Sequence, residues 1–425
     1  MPIIKSLDAF EILDSRGHPT LEVVCELEKN VVAHASVPSG ASTGVHEAFE
    51  LRDGDAKRYE GLGVLKAILN VKSEIAENVR GHEFDQRTLD DTLVKLDGTE
   101  NKSRLGANAI LGVSLAFARG NAQEKKIELF EYLGSLADNT HFSLPQPMLN
   151  VINGGKHADS GLDIQEFMIA PQGFDTFRRK MQAAEEIVSS LKKILEEKGY
   201  PTSVGDEGGF APKLSSNEEG FELLMGAIER AGYRSDETKL AIDVAASSFY
   251  KDEKYHLKID GKKKSETSEG MIRWYETLVE KYPLISIEDG FAEDDWQGFT
   301  DQMKKMGEKI QIVGDDLTTT NVKRIQTAIE KKAINSVLIK LNQIGTLSET
   351  LDAIQLTKKQ GWTPFVSHRS GETTDTFIAD LAVGLSCPYI KSGDLIRGER
   401  VCKYNRLMEI EDILTNHQRG GSKNF

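Results

Sequence analysis

Six short apolar runs in this chain each finish on a residue able to move a proton or hold a metal. Lys239-Leu240-Ala241-Ile242 leads into Asp243, Leu284-Ile285-Ser286-Ile287 into Glu288-Asp289, and Ile310-Gln311-Ile312-Val313, through Gly314, into Asp315-Asp316. Ser336-Val337-Leu338-Ile339 leads into Lys340, Thr363-Pro364-Phe365-Val366-Ser367 into His368, and Pro388-Tyr389-Ile390 into Lys391. Three carboxylates gathered on one face repel unless a positive charge sits among them. A hard divalent cation with oxygen ligands meets that need, and Mg²⁺ suits a set that leaves positions for water or substrate. The competing reading pairs each acid with a nearby Lys or Arg. A lysine is almost never neutral near pH 7, but a second lysine and a metal both disfavour the ammonium, so Lys340 could serve as a base with Lys391 beside it. The plain alternative is that one lysine only neutralises the acids.

Glu166, Glu207 and His157 stand at loop or strand ends facing the same mouth. A glutamate among other carboxylates can keep a proton at neutral pH and act as an acid. His157 lies among Asn153-Gly154-Gly155 and Ser160-Gly161, a loop able to close over a ligand. Ser367-His368-Arg369-Ser370-Gly371 is expected to precede a helix over 371–385, where free N–H groups and a guanidinium would hold a phosphate. Capping of that helix by Ser370 is the competing reading. As single residues, each of these positions would by default be a surface loop or a strand end meeting solvent.

Short β-branched runs read as buried strands, and the polar segments between them have helical spacing. Strand, helix, strand at this spacing is a parallel repeat, and in a (β/α) barrel the C-terminal strand ends form the face that carries the chemistry. Upstream the pattern differs. Segments 3–10, 20–27 and 31–37 read as strands, with Lys29-Asn30 as a tight turn, and 62–79, 86–96, 107–124 and 129–136 read as helices. The expected fold class is therefore α/β: an α+β N-terminal domain over 1–138, then an eight-stranded barrel over 139–425. Segment 251–269 is strongly charged and reads as a solvated hairpin or loop.

The 425 residues exceed one ordinary domain, and at 39% hydrophobic and 28% charged they can bury a large core. A formal net charge of −14 argues against nucleic acid as a main partner. Three separated cysteines (Cys25, Cys387 and Cys402) make no disulfide framework and point to a reducing, cytoplasmic setting. No stretch has the length for membrane insertion, and charges within 1–16 argue against a signal peptide. Gly61-x-Gly63 lacks a third glycine in register, His46-Glu47 lacks a second histidine, and there is no P-loop and no Gly-x-Ser-x-Gly.

Taken together, Ser39-Gly40-Ala41-Ser42-Thr43-Gly44, Gly205-Asp206-Glu207-Gly208-Gly209, Ser286-Ile287-Glu288-Asp289, Gly314-Asp315-Asp316-Leu317, Leu338-Ile339-Lys340-Leu341-Asn342-Gln343-Ile344-Gly345 and Ser367-His368-Arg369-Ser370-Gly371-Glu372-Thr373 resemble the enolase family over the whole chain. The resemblance implies dehydration of 2-phospho-D-glycerate to phosphoenolpyruvate in glycolysis, an atypical barrel, a small phosphorylated carboxylate as substrate, and a homodimer or larger homo-oligomer. It implies two Mg²⁺ ions per site, with Asp243, Glu288 and Asp315 on the tighter one and Ser42 on the second. Lys340 would be the base and Glu207, with Glu166, the acid; Lys391 would stabilise a doubly charged enolate. Arg369 and Ser370 would touch phosphate, and Gln165, His157 and His368 would lie on the substrate side. Such a Lys base working with Mg²⁺ is a known pattern of the superfamily. Gly290 stands where many members have Pro, and Asp394-Leu395 where Ala-Pro is frequent, so local backbone shape is open there while the roles above are untouched. A related barrel acting on another carboxylate, and a non-catalytic role as surface receptor or RNA-processing scaffold, are the alternatives.

Overall fold

The computed structural model describes residues 1–40 and 44–418. Strands β1 (Ile4–Leu13), β2 (Pro19–Leu27) and β3 (Val31–Ser36) form an antiparallel meander. The β2–β3 connection turns at Asn30, whose φ of 60° is the left-handed conformation that asparagine tolerates well. Helix Ala107–Lys125 crosses this sheet and is buried nearly all round. Gly112 is what permits the approach, since a Cβ there would stand 2.4 Å from Val23 Cγ2. The expected helix over 62–79 is present from Leu65 to Val79 but carries a π-turn at Val71–Ile75.

A closed eight-stranded barrel follows. Its strands are β4 (Gln146–Asn153), β5 (Glu166–Pro171) and β6 (Thr238–Asp243), then five more after a three-stranded excursion, β7 (Tyr250–Lys251), β8 (Lys254–Ile259) and β9 (Lys262–Glu266), that fills the charged segment. Those five are β10 (Leu284–Glu288), β11 (Gln311–Gly314), β12 (Ser336–Ile339), β13 (Thr363–Ser367) and β14 (Tyr389–Lys391). Around the ring the order is β10-β11-β12-β13-β14-β4-β5-β6. All neighbours are parallel except β5, which runs antiparallel to both β4 and β6. The parallel repeat expected throughout therefore fails at one strand. The connection 154–165 contains only a short 3₁₀ turn, with no crossover helix to carry the chain back, so β5 must return in the opposite sense. The reversal puts the start of β5 at the mouth where its neighbours end, with Glu166 opposite Asp243 on one side and Asn153 on the other.

The barrel interior is packed by Met148, Met168, Ala170, Ala241, Val313, Leu338 and Phe365, and Phe365 stacks on Tyr389 at 4.4 Å between ring centroids. The main core lies outside this, between the strands and the surrounding helices. Two of the contacts that tie the N-terminal region to the barrel differ in kind. Ser39 and Gly371 exchange backbone hydrogen bonds of 2.8 Å in both directions. Gly371 must be glycine here, because a Cβ would fall 2.3 Å from both Asp14 Oδ2 and Arg16 Nη2.

The second tie is ionic. Arg119 grips Asp375 bidentately at 2.6 and 2.7 Å, and the backbone N–H groups of Ser36 and Phe377 donate to the same carboxylate. Burial alone would raise the Asp375 pKa, but Arg119 outweighs it and the net shift is downward. Asp375→Ala is expected to cost about 3 kcal/mol of stability, because it leaves a mostly covered guanidinium without its partner. A depressed carboxyl contributes stability above its unfolded pKa of about 3.9 and loses it as pH falls through the lower folded value. Chemical denaturation at pH 7 and below pH 4 checks this: the difference between wild type and variant should shrink at the acid end.

Candidate active site

Every one of the six runs ends where the sequence reading put it, on one mouth of the barrel. Asp243 and Glu288 close β6 and β10 as direct register partners, and Asp315 follows β11. Lys340 follows β12, His368 follows β13 and Lys391 closes β14. They meet in a cleft with about 390 Å³ of free space, lined also by His157, Gln165, Glu166, Glu207, Asp289, Asp316, Arg369 and Ser370. Glu288 lies just behind this lining. Ser42 lies outside the described residues.

Lys391 organises the mouth. Its Nζ lies 2.8 and 3.0 Å from the two Glu288 oxygens, 3.2 Å from Glu166 and 3.6 Å from Asp243. Strands β14 and β10 stand opposite each other in the ring, so the Glu288 contact spans the opening. Lys340 Nζ is bonded to Asp315 Oδ2, and Gln343 donates to the other oxygen at 2.8 Å. The pairing of acids with lysines is thus the arrangement present. Burial pushes Glu288 up to about 8 despite Lys391, with Asp243 and Asp315 adding to the rise. That excess of crowded, buried carboxylate is what a divalent cation relieves. Gln165 Oε1 is buried beside these acids without a partner, and its Nε2 lies 3.4 Å from Asp243. The donor set is all oxygen and fits a hard cation. Asp289, Asp315 and Asp316 also converge closely enough to share an ion.

Two expectations need correction. Lys340 does not have a lowered pKa in this arrangement. Burial pulls it down, as do Arg369 and Lys391, but Asp315 outweighs them and the net shift is upward. Nor does a helix begin after Gly371; it spans Phe377–Gly384, so neither the helix-terminus phosphate site nor capping by Ser370 applies. The reason is local. Gly371 is held by Ser39, and the Glu372 carboxylate accepts from the backbone N–H groups of Arg369 and Thr373, which fixes 369–373 as a turn. Arg369 itself still faces the cleft, gripped by Glu47 at 2.8 and 3.1 Å and by Asn342 Oδ1 at 3.0 Å.

Across the mouth, His157 sits buried in the turn Gly155–His157, with Nδ1 3.6 Å from Glu166 and 3.8 Å from Glu207. Glu207 also accepts from Asn150 at 3.0 Å and lies 3.3 Å from His368 Nε2. Burial and the nearby Glu207 drive Glu166 well up. Glu207 is buried too, but His368 and His157 outweigh that and hold it well below the usual carboxylate range. The two shifts thus run in opposite directions within one pair.

Several functional neighbours escaped the sequence reading. Asp289 accepts from the backbone N–H groups of Asp315 (2.9 Å) and Asp316 (2.8 Å), which fixes the turn presenting both. Its place in the doublet Glu288-Asp289 was the available signal. Thr320 donates to Gln343 at 2.9 Å and accepts from the Lys340 N–H at 2.9 Å, so it sets the Lys340 backbone. The segment at Asp394 is not neutral to the site either: its backbone N–H donates to the Glu207 carbonyl at 3.0 Å, and the buried Asp394 carboxyl is pushed up to about 8.

A mixed eight-stranded barrel with an α+β unit ahead of it, and a mouth of carboxylates paired with two lysines, defines a barrel enzyme class. Two family models match: "Enolase, N-terminal domain" over residues 4–133 and "Enolase, C-terminal TIM barrel domain" over residues 141–425. The chain belongs to the enolase family. No helix among the described residues is long and apolar enough to cross a membrane.

Proposed function

We propose that this chain catalyses the reversible, Mg²⁺-dependent dehydration of 2-phospho-D-glycerate to phosphoenolpyruvate. One observation carries the reading: Lys340 follows β12 and Glu166 opens β5, strands diametrically opposite in the ring, so an amine and the Glu166–Glu207 carboxyl pair face each other across one cleft. Such a pair suits elimination from a small substrate held between them. The Lys340 amine takes the proton from C2 and the C2–H electron pair moves onto the carboxylate as a doubly charged enolate; return of that pair forms the C2=C3 bond as the C3 hydroxyl leaves as water with a proton from the Glu166–Glu207 pair. Lys391 places a fixed positive charge where the enolate carboxylate charge develops. Arg369 and Ser370 serve the phosphate, and His157, Gln165 and His368 close the substrate side. Asp243, Glu288 and Asp315, with Ser42 for a second ion, would hold Mg²⁺, which when bound would supply charge stabilisation of the enolate.

Turnover followed by ultraviolet absorbance of the product tests the reading. Conversion with Mg²⁺ and its loss with EDTA are expected, with recovery on adding Mg²⁺ back. A folded, Mg²⁺-supplied protein that leaves 2-phospho-D-glycerate unchanged would overturn it. A homodimer or larger assembly in the cytoplasm belongs to the same proposal, and light scattering measures the assembly.

A further inference from the structure

Arg400, in the last helix (Gly398–Gln418), is the largest side chain with no exposed surface among the described residues. It lies behind the cleft and takes no part in the chemistry above. One terminal nitrogen lies 2.7 Å from His368 Nδ1 and also donates to the Arg369 carbonyl. The other donates to the carbonyls of Ser370 at 2.6 Å and Asp206 at 3.0 Å. The guanidinium thus ties the His368 turn to the loop that presents Glu207.

A guanidinium has donors only and stays charged in proteins. At 2.7 Å from it, His368 Nδ1 has to offer its lone pair, since an N–H there would set two donors against each other. The single proton of a neutral ring then sits on Nε2, the atom 3.3 Å from Glu207 Oε2. We infer that Arg400 is a positioning residue that locks His368 as the neutral Nε2–H tautomer, so that an N–H and not a lone pair faces Glu207. The consequence is a donor aimed at the Glu207 carboxylate, which favours its ionised form. Besides Arg400, the charged groups acting on His368 are Glu207 and Glu372; burial dominates, and the imidazole is lowered to about 4. The tautomer stands on geometry alone, while its kinetic consequence rests on the function proposed above.

Long-range ¹H–¹⁵N spectra of the full chain labelled at histidine read the tautomer directly. There are nine histidines, and the His368→Gln spectrum assigns the signal. In the wild type at pH 7, Nδ1 is expected to be the bare, pyridine-type nitrogen and Nε2 the protonated one. An imidazolium, or a proton on Nδ1, would overturn the inference without any turnover measurement. In folded Arg400→Met the signal should move toward a mixture of tautomers, and Arg400→Lys, which restores a donor, should recover the wild-type pattern. An unchanged tautomer in folded Arg400→Met would equally overturn it. If Arg400→Met fails to fold, the wild-type spectrum and the lysine variant still decide. In turnover, Arg400→Met should lower kcat by about 10²-fold with little change in KM, since a partner that orients a catalytic group typically costs that much. A protein with the expected spectrum that turns over no 2-phospho-D-glycerate would sink the proposed reaction and leave the tautomer standing.

Discussion

Lys340→Ala should lower turnover of 2-phospho-D-glycerate by about 10⁴-fold, at the upper end of what a positioned general base contributes. The residue is largely buried and opens directly from β12. Its backbone is pinned by Thr320, and Thr320 in turn by Gln343. The loss should fall on kcat, because the amine acts on a proton that is in motion only in the transition state. The variant also separates the two halves of the reaction. Exchange of the C2 proton of substrate with solvent deuterium needs only the base, so it should vanish in Lys340→Ala. Glu207→Gln spares the base and disturbs only the departure of hydroxide, so there exchange should outlast turnover. Proton NMR of the substrate in D₂O reads both. Exchange at the wild-type rate in Lys340→Ala would show that another group takes the proton. The wild-type pH–rate profile should rise on its acid limb. Asp315 holds the ammonium charged, and once that contact is released, burial, Arg369 and Lys391 all act to lower the pKa.

The mouth was legible because a buried strand must end somewhere, and the first charged residue past an apolar run marks that end. This placed Asp243, Glu288, Asp315, Lys340, His368 and Lys391 without any knowledge of what they touch. The same reasoning could not show that β5 runs backwards, since alternating burial along a strand carries no direction. Only the missing helix in 154–165 held that information. It also could not show which lysine meets which acid. Lys391 reaches Glu288 across the barrel, a contact set by the closure of the sheet. The helix misplaced after Gly371 has a similar cause. Local sequence there suits a helix start, but Ser39, distant in the chain, captures the backbone first. Arg400 left no signal at all, because an arginine in a polar helix reads as a solvated residue until the partners on two other segments are in place.

Lys391→Met should damage both stability and catalysis, and the two effects respond differently to pH. In the protein without divalent cation, removing the ammonium leaves Glu288, Glu166 and Asp243 facing one another in a buried space. Breaking such a buried set by deleting one partner costs about 3–5 kcal/mol. The wild-type lysine is held well above its ordinary value: burial opposes the charge, but Glu166 and Glu288 overcome it. A raised lysine contributes its full stability below the unfolded pKa of about 10.4 and loses it only as pH climbs through the higher folded value, so across neutral pH its contribution is constant. In the wild type burial already pushes Glu288 up to about 8 although Lys391 lowers it, and without the ammonium it rises further. A raised carboxyl keeps its stability below the unfolded pKa of about 4 and loses it as pH rises toward the folded value, so in this range wild type and variant lose it alike. The deficit against wild type should therefore be steady between pH 4 and pH 7 and widen as pH passes about 8, where only the wild-type Glu288 ionises, and chemical denaturation at pH 5, 7 and 9 in EDTA measures it. Catalysis should not recover at either end. With Mg²⁺ present the variant lacks a fixed donor at the developing enolate, a loss typically worth about 10²–10³-fold in kcat. Equal stability of wild type and variant at pH 7 would mean that the three acids already share their protons among themselves, and that Lys391 is held in place by them without stabilising them in return.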